Sequence, residues 1–462
     1  MPWKKYGNNV FSRPLGENET FIKLLGDPGH SLHREHWALN FTAKIHPTGT
    51  FDDNGVLASQ LRRAWTYLRF QHPSLAAEPE GNNLQYTVPL SKIALEDWVD
   101  KSFAILPDST SADEVISTLK PTPYAQLYFL PKTQEIVGHT AHWRSDGVGS
   151  MMLLNAFLEL LAQPDLPQDP WIALPWGREI ASLPPSVEEA AAVPVKPSSA
   201  QSAEAKKAFE TFGLGAGTIG IPYFGNNTTI PTGTRCACTT FSPQTTEAVV
   251  KAVRSRNLSV TAAVHASVAA ANIYLADQSQ RSKHYTSTIR FTLRPYMPSP
   301  YNGPEYASML LTTGWMAQVA TTEDWETHAR KYHQEYRTSI SSDYLGGHRE
   351  YAQHLCHLLQ NPPETVENPP SDVDISSIGV LEKWIRHQYG SPGSLIEVRA
   401  ISVGLEMLTR QAICFVWTFR GRLNLRVVYN ESFHTAEQMQ VFVETVKKNL
   451  LEELGITEVD KV

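Results

Sequence analysis

Six consecutive residues, His142-Trp143-Arg144-Ser145-Asp146-Gly147, hold the most chemically capable spacing in the chain. A histidine with an unperturbed pKa of about 6.5 exchanges its proton near neutral pH, which suits it to act as a general base. Asp146, four residues on, could suggest a catalytic triad. However, the apolar run that follows (Met151 to Leu154, Phe157, Leu158, Leu160, Leu161) reads as a helix buried on most sides, and Asp146 stands where a side chain caps such a helix. Gly147 provides the tight turn and close backbone approach. His139 raises a metal reading, but on a strand over 135–143 residues three apart face opposite sides, and no Cys or His cluster elsewhere supports zinc. On the residues alone, His142 is also readable as a packed histidine held by a backbone carbonyl.

The elements that must position this stretch alternate strands with helices in both halves of the chain, which is the pattern of an α/β fold. A strand over 37–45 precedes a helix entered through Asp52-Asp53-Asn54, with Val56, Leu57, Leu61, Ala64, Trp65 and Leu68 on its apolar positions and an end at His72-Pro73. Strands are predicted over 124–130, 234–241, 285–293 and 309–320. Ser259 or Thr261 opens an alanine-rich helix in which His265 is a packed residue. Residues 412–419 and 423–429 form a hairpin around Arg420-Gly421. Thr435-x-x-Gln438 is a capping box for a last helix with Met439, Phe442, Val443, Val446 and Leu450 on one face. Residues 186–203, rich in Pro, Ala, Ser and Glu, read as a linker. Gly215-Ala216-Gly217-Thr218-Ile219-Gly220 matches a dinucleotide-binding phrase but lacks the strand before it and the helix after it, so it reads as a loop.

Composition narrows the classes. The chain has 462 residues, 42% hydrophobic and 19% charged, with a formal net charge of -7, so nothing favours nucleic acid or an anionic membrane as a partner. No apolar run reaches the length of a membrane span and the first residues lack a secretory signal, which leads to the expectation of a cytoplasmic protein. The four cysteines are expected to be reduced, with Cys236 and Cys238 on one face of a strand.

His142-xxx-Asp146-Gly147 resembles the HxxxDG signature of the chloramphenicol-acetyltransferase-like superfamily, which includes BAHD acyltransferases, peptide-synthetase condensation domains and fungal trichothecene-type O-acetyltransferases. Further pieces match along the chain. They are the helix ending in LRFQHPSL (with Gln71 in place of an Arg), the strand ending in Leu293-Arg294-Pro295 (with Thr292 where Asp or Asn is usual), the Ser376-Ser377-Ile378-Gly379 phrase, and the hairpin, Tyr429-Asn430 and terminal helix. The DFGWG phrase of plant members is absent, and residues 397–404 read EVRAISVG, which favours the fungal branch.

The resemblance implies two α/β lobes of mixed sheets flanked by helices, residues 1–183 and 204–462 joined by a 184–203 crossover, with a tunnel between them. It makes His142 the base, Asp146 a structural residue paired with Arg294 of the other lobe, and Ser376, Ser377 and Gly379 candidates to line the site. The activity it implies is transfer of an acyl group, acetyl foremost, from acyl-CoA to a hydroxyl of a fungal secondary metabolite. It implies no tightly bound cofactor, no metal, and a monomer whose partners are acetyl-CoA and the small-molecule acceptor. Its alternatives are a free-standing condensation enzyme with an amine acceptor or carrier-protein donor, and a non-transferring member that binds a ligand or templates a rearrangement.

Overall fold

The structure is a computed structural model that describes residues 2–277, 284–338, 340–362 and 369–457. Its largest sheet has six strands in the order Gln388–Ser391, Ser394–Leu405, Leu39–Gly49, Glu135–Thr140, Gln126–Leu130, Phe103–Ile105. Helices Asn54–Gln71 and Gly147–Leu161 pack on it. Leu57, Leu61 and Trp65 of the first and Leu154 and Phe157 of the second meet Phe41, Phe129 and Ile136 of the strands in one core. Asp53 caps the first helix, accepting from the Gly55 and Val56 amides.

A second sheet runs Val373–Val380, Ala412–Phe419, Arg422–Asn430, Thr234–Thr240, with the first two strands parallel. Helices Val260–Leu275 and Ala436–Leu454 cover it, and Val264, Val268, Phe442 and Val446 pack with Leu425 and Val427. His265 is fully buried in this core, stacked on Tyr332 at 3.6 Å and 2.6 Å from the Ser287 hydroxyl. The fold is thus the α/β arrangement of mixed sheets flanked by helices, in two lobes.

Two features shape the space between the lobes. Strands Gln388–Ser391 and Ser394–Leu405 come from the C-terminal part of the sequence, yet Ser394–Leu405 pairs along Leu39–Gly49 from Ser394↔Gly49 to Leu405↔Leu39. Residues 388–405 therefore sit in the first lobe's sheet. The apolar alternation of a strand says that it needs a partner but not which one, so sequence placed them with the second lobe. The other feature is a splay. Among the described residues His284–Thr292 forms a ladder with Thr312–Ala320 and a single parallel bridge from His284 to Thr218, and side chains, not a ladder, bridge it to Val373–Val380. Tyr285 OH donates to Val373 O at 2.8 Å, and Asp374 accepts from the Thr288 amide at 3.1 Å and from Arg290 at 2.7 Å.

The 184–203 segment is packed. Pro184 O accepts from Trp3 Nε1 and Arg13 Nε, and the buried Glu188 accepts from the Asn18 amide at 2.8 Å. Val187 and Ala190 are buried with Leu293, Met309 and Leu311, and these small apolar anchors, spaced among polar ones, are why its composition read as a linker. The Gly215-to-Gly220 phrase follows helix Ser199–Glu210 as a loop with Gly217 at φ 75°.

Burial of neutral histidines makes this fold acid-sensitive. Burial holds His72, His139 and His348 down to about 4 and His265 down to about 3. The unfolded chain takes up these protons first, below about 6.5, so stability is full above that pH and is lost as pH falls toward 4. The buried carboxyls Glu188, Asp372 and Glu406, pushed up to about 7, act in the opposite sense, so the histidine contribution is read by difference. The gap in urea midpoint between wild type and His265→Gln should narrow from pH 7.5 to 4.5; a gap independent of pH would contradict this account.

Candidate active site

His142 sits one step beyond the strand that sequence assigned to it. The strand ends at Thr140, and His142–Arg144 form a single 3₁₀ turn. The physical cause is local: His142 Nδ1 lies 2.9 Å from Ser145 O, and a carbonyl only accepts, so Nδ1 carries the proton and closes the turn. This fixes the tautomer with Nε2 unprotonated. Nε2 makes no hydrogen bond among the described residues. Burial lowers the pKa of the ring, so it is neutral at pH 7. Arg144 locks the same turn from behind, its guanidinium donating to Ser74 O, to Pro123 O at 2.7 Å and to the Thr140 hydroxyl at 3.1 Å. His139, on the strand itself, turns to Asn40 Oδ1 at 2.8 Å and does not line the cavity that His142 faces.

Asp146 caps the helix Gly147–Leu161, with Oδ1 accepting from the Gly149 amide at 2.7 Å. Its other oxygen crosses to the second lobe, where it accepts from the Leu311 amide at 2.8 Å and lies 3.5 Å from Arg294 Nη2. Arg294 also donates to Ala307 O at 3.2 Å and Met309 O at 3.4 Å. Of the two glycines here, Gly149 is a steric necessity, because it meets backbone, whereas Gly147 meets the movable end of a side chain. A Cβ on Gly147 would lie 2.7 Å from Ile378 Cδ1, and one on Gly149 would lie 2.3 Å from Ala307 O. Sequence reasoning named Gly147 and missed Gly149, whose only signal was its place in the first helical turn.

The space these contacts leave is a cavity of about 810 Å³, counted with its open mouth, between the lobes. Trp37, Leu39, His142, Asp146, Gly147 and Val148 line it from the first lobe. Arg290, Phe291, Thr292, Leu311, Thr312, Ser376, Ser377, Ile378, Ile413 and Phe415 line it from the second, and Val403 and Leu405 from the exchanged strand. Ser376 and Ser377 are therefore wall residues, and Ser377 shares a 3.0 Å hydrogen bond with Thr261. Gly379 is not part of the wall. It is exposed, and its φ of 84° serves the register shift between Ser377 and Gly379. Sequence gave no sign of Trp37, which adopts a left-handed φ of 64° with its amide on Glu406 O at 2.7 Å and its ring centroid 6.3 Å from that of His142. A bulky residue in that region costs of order 1–3 kcal/mol, a strain found where surroundings fix a site.

No family model matches the chain. It is 42% identical over 456 residues to the acetyltransferase pigO of Monascus ruber, covering 99% of each chain. It is also 28% identical to the O-acetyltransferase pigM of the same fungus, over 100% of this chain and 89% of that one. The chain belongs to this family of fungal acetyltransferases. It is an acyltransferase. Among solved structures, the trichothecene 15-O-acetyltransferase TRI3 of Fusarium sporotrichioides superposes with a TM-score of 0.82 at 16% identity, covering 98% of this chain and 97% of that one. That likeness supports the chloramphenicol-acetyltransferase-like two-lobed fold of this acetyltransferase-family chain. Among the described residues, no single helix is long and apolar enough to cross a membrane.

Asp146→Asn tests the crossing. Asparagine keeps one acceptor for the cap, but its NH₂ then faces either the Gly149 amide or Leu311 N–H and Arg294. Breaking a buried pair costs roughly 3–5 kcal/mol, so denaturant midpoints should drop accordingly and the variant should lose activity with its loop. Unchanged stability would remove Asp146 from its role in holding the lobes.

Proposed function

We propose that this enzyme transfers an acetyl group from acetyl-CoA to a hydroxyl of a fungal secondary metabolite, with His142 as the general base. The observation that carries the reading is the fixed tautomer: Nδ1–H held by Ser145 O leaves the Nε2 lone pair of a neutral ring at the inter-lobe cavity. An alcohol is a poor nucleophile until its proton is removed. Nε2 takes that proton as the hydroxyl oxygen attacks the thioester carbonyl, a tetrahedral oxyanion forms, and its collapse expels the CoA thiolate, which receives the proton from the imidazolium. The Ser376 hydroxyl lines the same cavity with no partner among the described residues, which makes it a donor free to serve the oxyanion.

The acceptor face is mostly apolar and aromatic, through Trp37, Leu39, Phe291, Val403, Leu405 and Phe415, which suits a neutral, largely hydrophobic alcohol. The names of the relatives pigO and pigM, an acetyltransferase and an O-acetyltransferase, support the acetyl group and the oxygen acceptor. Acetyl-CoA enters as a co-substrate, and no tightly bound cofactor is needed for these steps.

Incubation with acetyl-CoA and a panel of hydroxylated fungal secondary metabolites, followed by free-thiol release, tests the activity. His142→Ala should fold normally and lose about 10²- to 10⁴-fold in turnover with little change in CoA-thioester affinity. His139→Ala should keep its turnover, because that ring is bound to Asn40 outside the cavity. The wild-type rate should rise with pH to a plateau, with its midpoint below about 6.5, because burial depresses the base. An active His142→Ala enzyme would leave the mechanism without its base, and equal losses in both variants would indicate damage to the fold.

A further inference from the structure

Away from the catalytic loop, the strand Thr234–Thr240 forms one edge of the second sheet, paired among the described residues only with Arg422–Asn430. Two cysteines of this strand, Cys236 and Cys238, point to the same side, and their sulfurs lie 3.9 Å apart. Cys238 is exposed and Cys236 half-buried. Two opposite charges flank the pair. The buried Arg426 brings Nη1 to 3.7 Å from Cys238 Sγ, and Asp113 brings a carboxylate oxygen to 3.3 Å from Cys236 Sγ. Arg426 and Asp113 are themselves ion-paired. We propose that Cys236 and Cys238 form an oxidisable dithiol in which Cys238 is the reactive thiolate and Cys236 the resolving thiol.

The charges assign the two roles. A guanidinium beside Cys238 favours its anion, and the carboxylate beside Cys236 disfavours an anion there. Contact with the Cys236 sulfur and the charge of Arg426 lower the pKa of Cys238 against the opposing effect of burial, while that of Cys236, whose thiol donates to Asp113, is raised. The same arginine opposes a metal cation between the sulfurs, so two-electron oxidation is the chemistry the site favours. A hydroperoxide supplies the oxidant. The Cys238 thiolate attacks one peroxide oxygen, the O–O bond breaks, and the products are a sulfenic acid on Cys238 and an alkoxide that is protonated to the alcohol. The Cys236 sulfur then displaces hydroxide from that sulfenic acid, forming the disulfide and, with its thiol proton, water.

Residues i and i+2 of a strand stand about 6.8 Å apart, at the upper edge of the range a disulfide spans. An edge strand, unpaired on its other side, has the freedom to twist and close that gap. A bond made under such constraint is the reducible kind. The site also adjoins the catalytic cavity. Cys236, Asp113 and Arg426 line a cleft of about 340 Å³ whose wall includes Val403 and Leu405, which line the His142 cavity from their own strand.

The other two thiols serve as internal references. Burial pushes Cys356 up to about 11 and Cys414 up to about 12, so both are neutral and slow at pH 7. The full-length protein is treated with increasing hydrogen peroxide at pH 7, digested and analysed by mass spectrometry. The expected result is a peptide carrying Cys236 and Cys238 that becomes two hydrogens lighter before Cys356 or Cys414 reacts, and that dithiothreitol restores. Cys236→Ser should trap a dimedone-reactive sulfenic acid on Cys238, Cys238→Ser should give neither product, and the iodoacetamide rate of Cys238 should have its pH midpoint below the free-thiol value of about 8.5. First oxidation at Cys356 or Cys414 would overturn the proposal. So would over-oxidation of wild-type Cys238 to sulfinic acid without a disulfide, or a midpoint at the free-thiol value. None of these readouts depends on acyl transfer.

Discussion

One carboxylate, that of Asp146, holds the two lobes and the histidine loop in register. Its two oxygens serve different parts of the molecule: one caps the helix that follows His142, and the other takes the Leu311 amide and faces Arg294 across the cleft. A caged anion with several donors keeps its geometry because every alternative leaves a buried charge or amide unpaired. Ser145 O is then fixed in space, and through it the His142 ring. Asp146 thus acts on His142 through the backbone without touching the imidazole.

The cavity is a product of what the sheets do not do. His284–Thr292 and Val373–Val380 run side by side without a ladder, and Asp374, Arg290 and Tyr285 satisfy the backbone groups that the gap exposes. Polar side chains thereby hold a slot open that continuous pairing would close. Small residues at the crossing, Gly147 against Ile378 and Gly149 against Ala307, bring the helix start and the far lobe close enough to wall it.

The parts of this arrangement legible in the sequence were those encoded locally. The apolar periodicity of the helices, the capping residues Asp53, Asp146 and Thr435, and the hairpin at Arg420-Gly421 were each readable from a short window. The HxxxDG stretch was legible through its family likeness, and its residues alone left His142 open to a packed, structural role. The remainder is non-local. Nothing around residue 37 announces a left-handed tryptophan beside the histidine, because its conformation is set by Glu406, far along the chain. Gly379 was grouped with Ser376 and Ser377 through the family's Ser-Ser-x-Gly phrase, but a bulge turns it out of the wall. The strand over 135–143 ended three residues early because a side-chain hydrogen bond, invisible to periodicity, diverts the backbone at His142.

The loan of Ser394–Leu405 to the sheet begun by Leu39–Gly49 has a consequence for the birth of the molecule. During translation the first lobe emerges with one side of Leu39–Gly49 unpaired, and its partner follows only after most of the chain has been made, a wait of tens of seconds at ordinary elongation rates. Throughout that interval the nascent sheet carries an open, apolar edge of the kind that recruits foreign strands. Until the borrowed strand arrives, a ribosome-bound chain exposes an edge that something else must shield if it is not to aggregate. The same loop-closure entropy places its folding among the slow, high-contact-order topologies. Severed at the lobe boundary, the N-terminal piece would be a half-finished surface and not a domain.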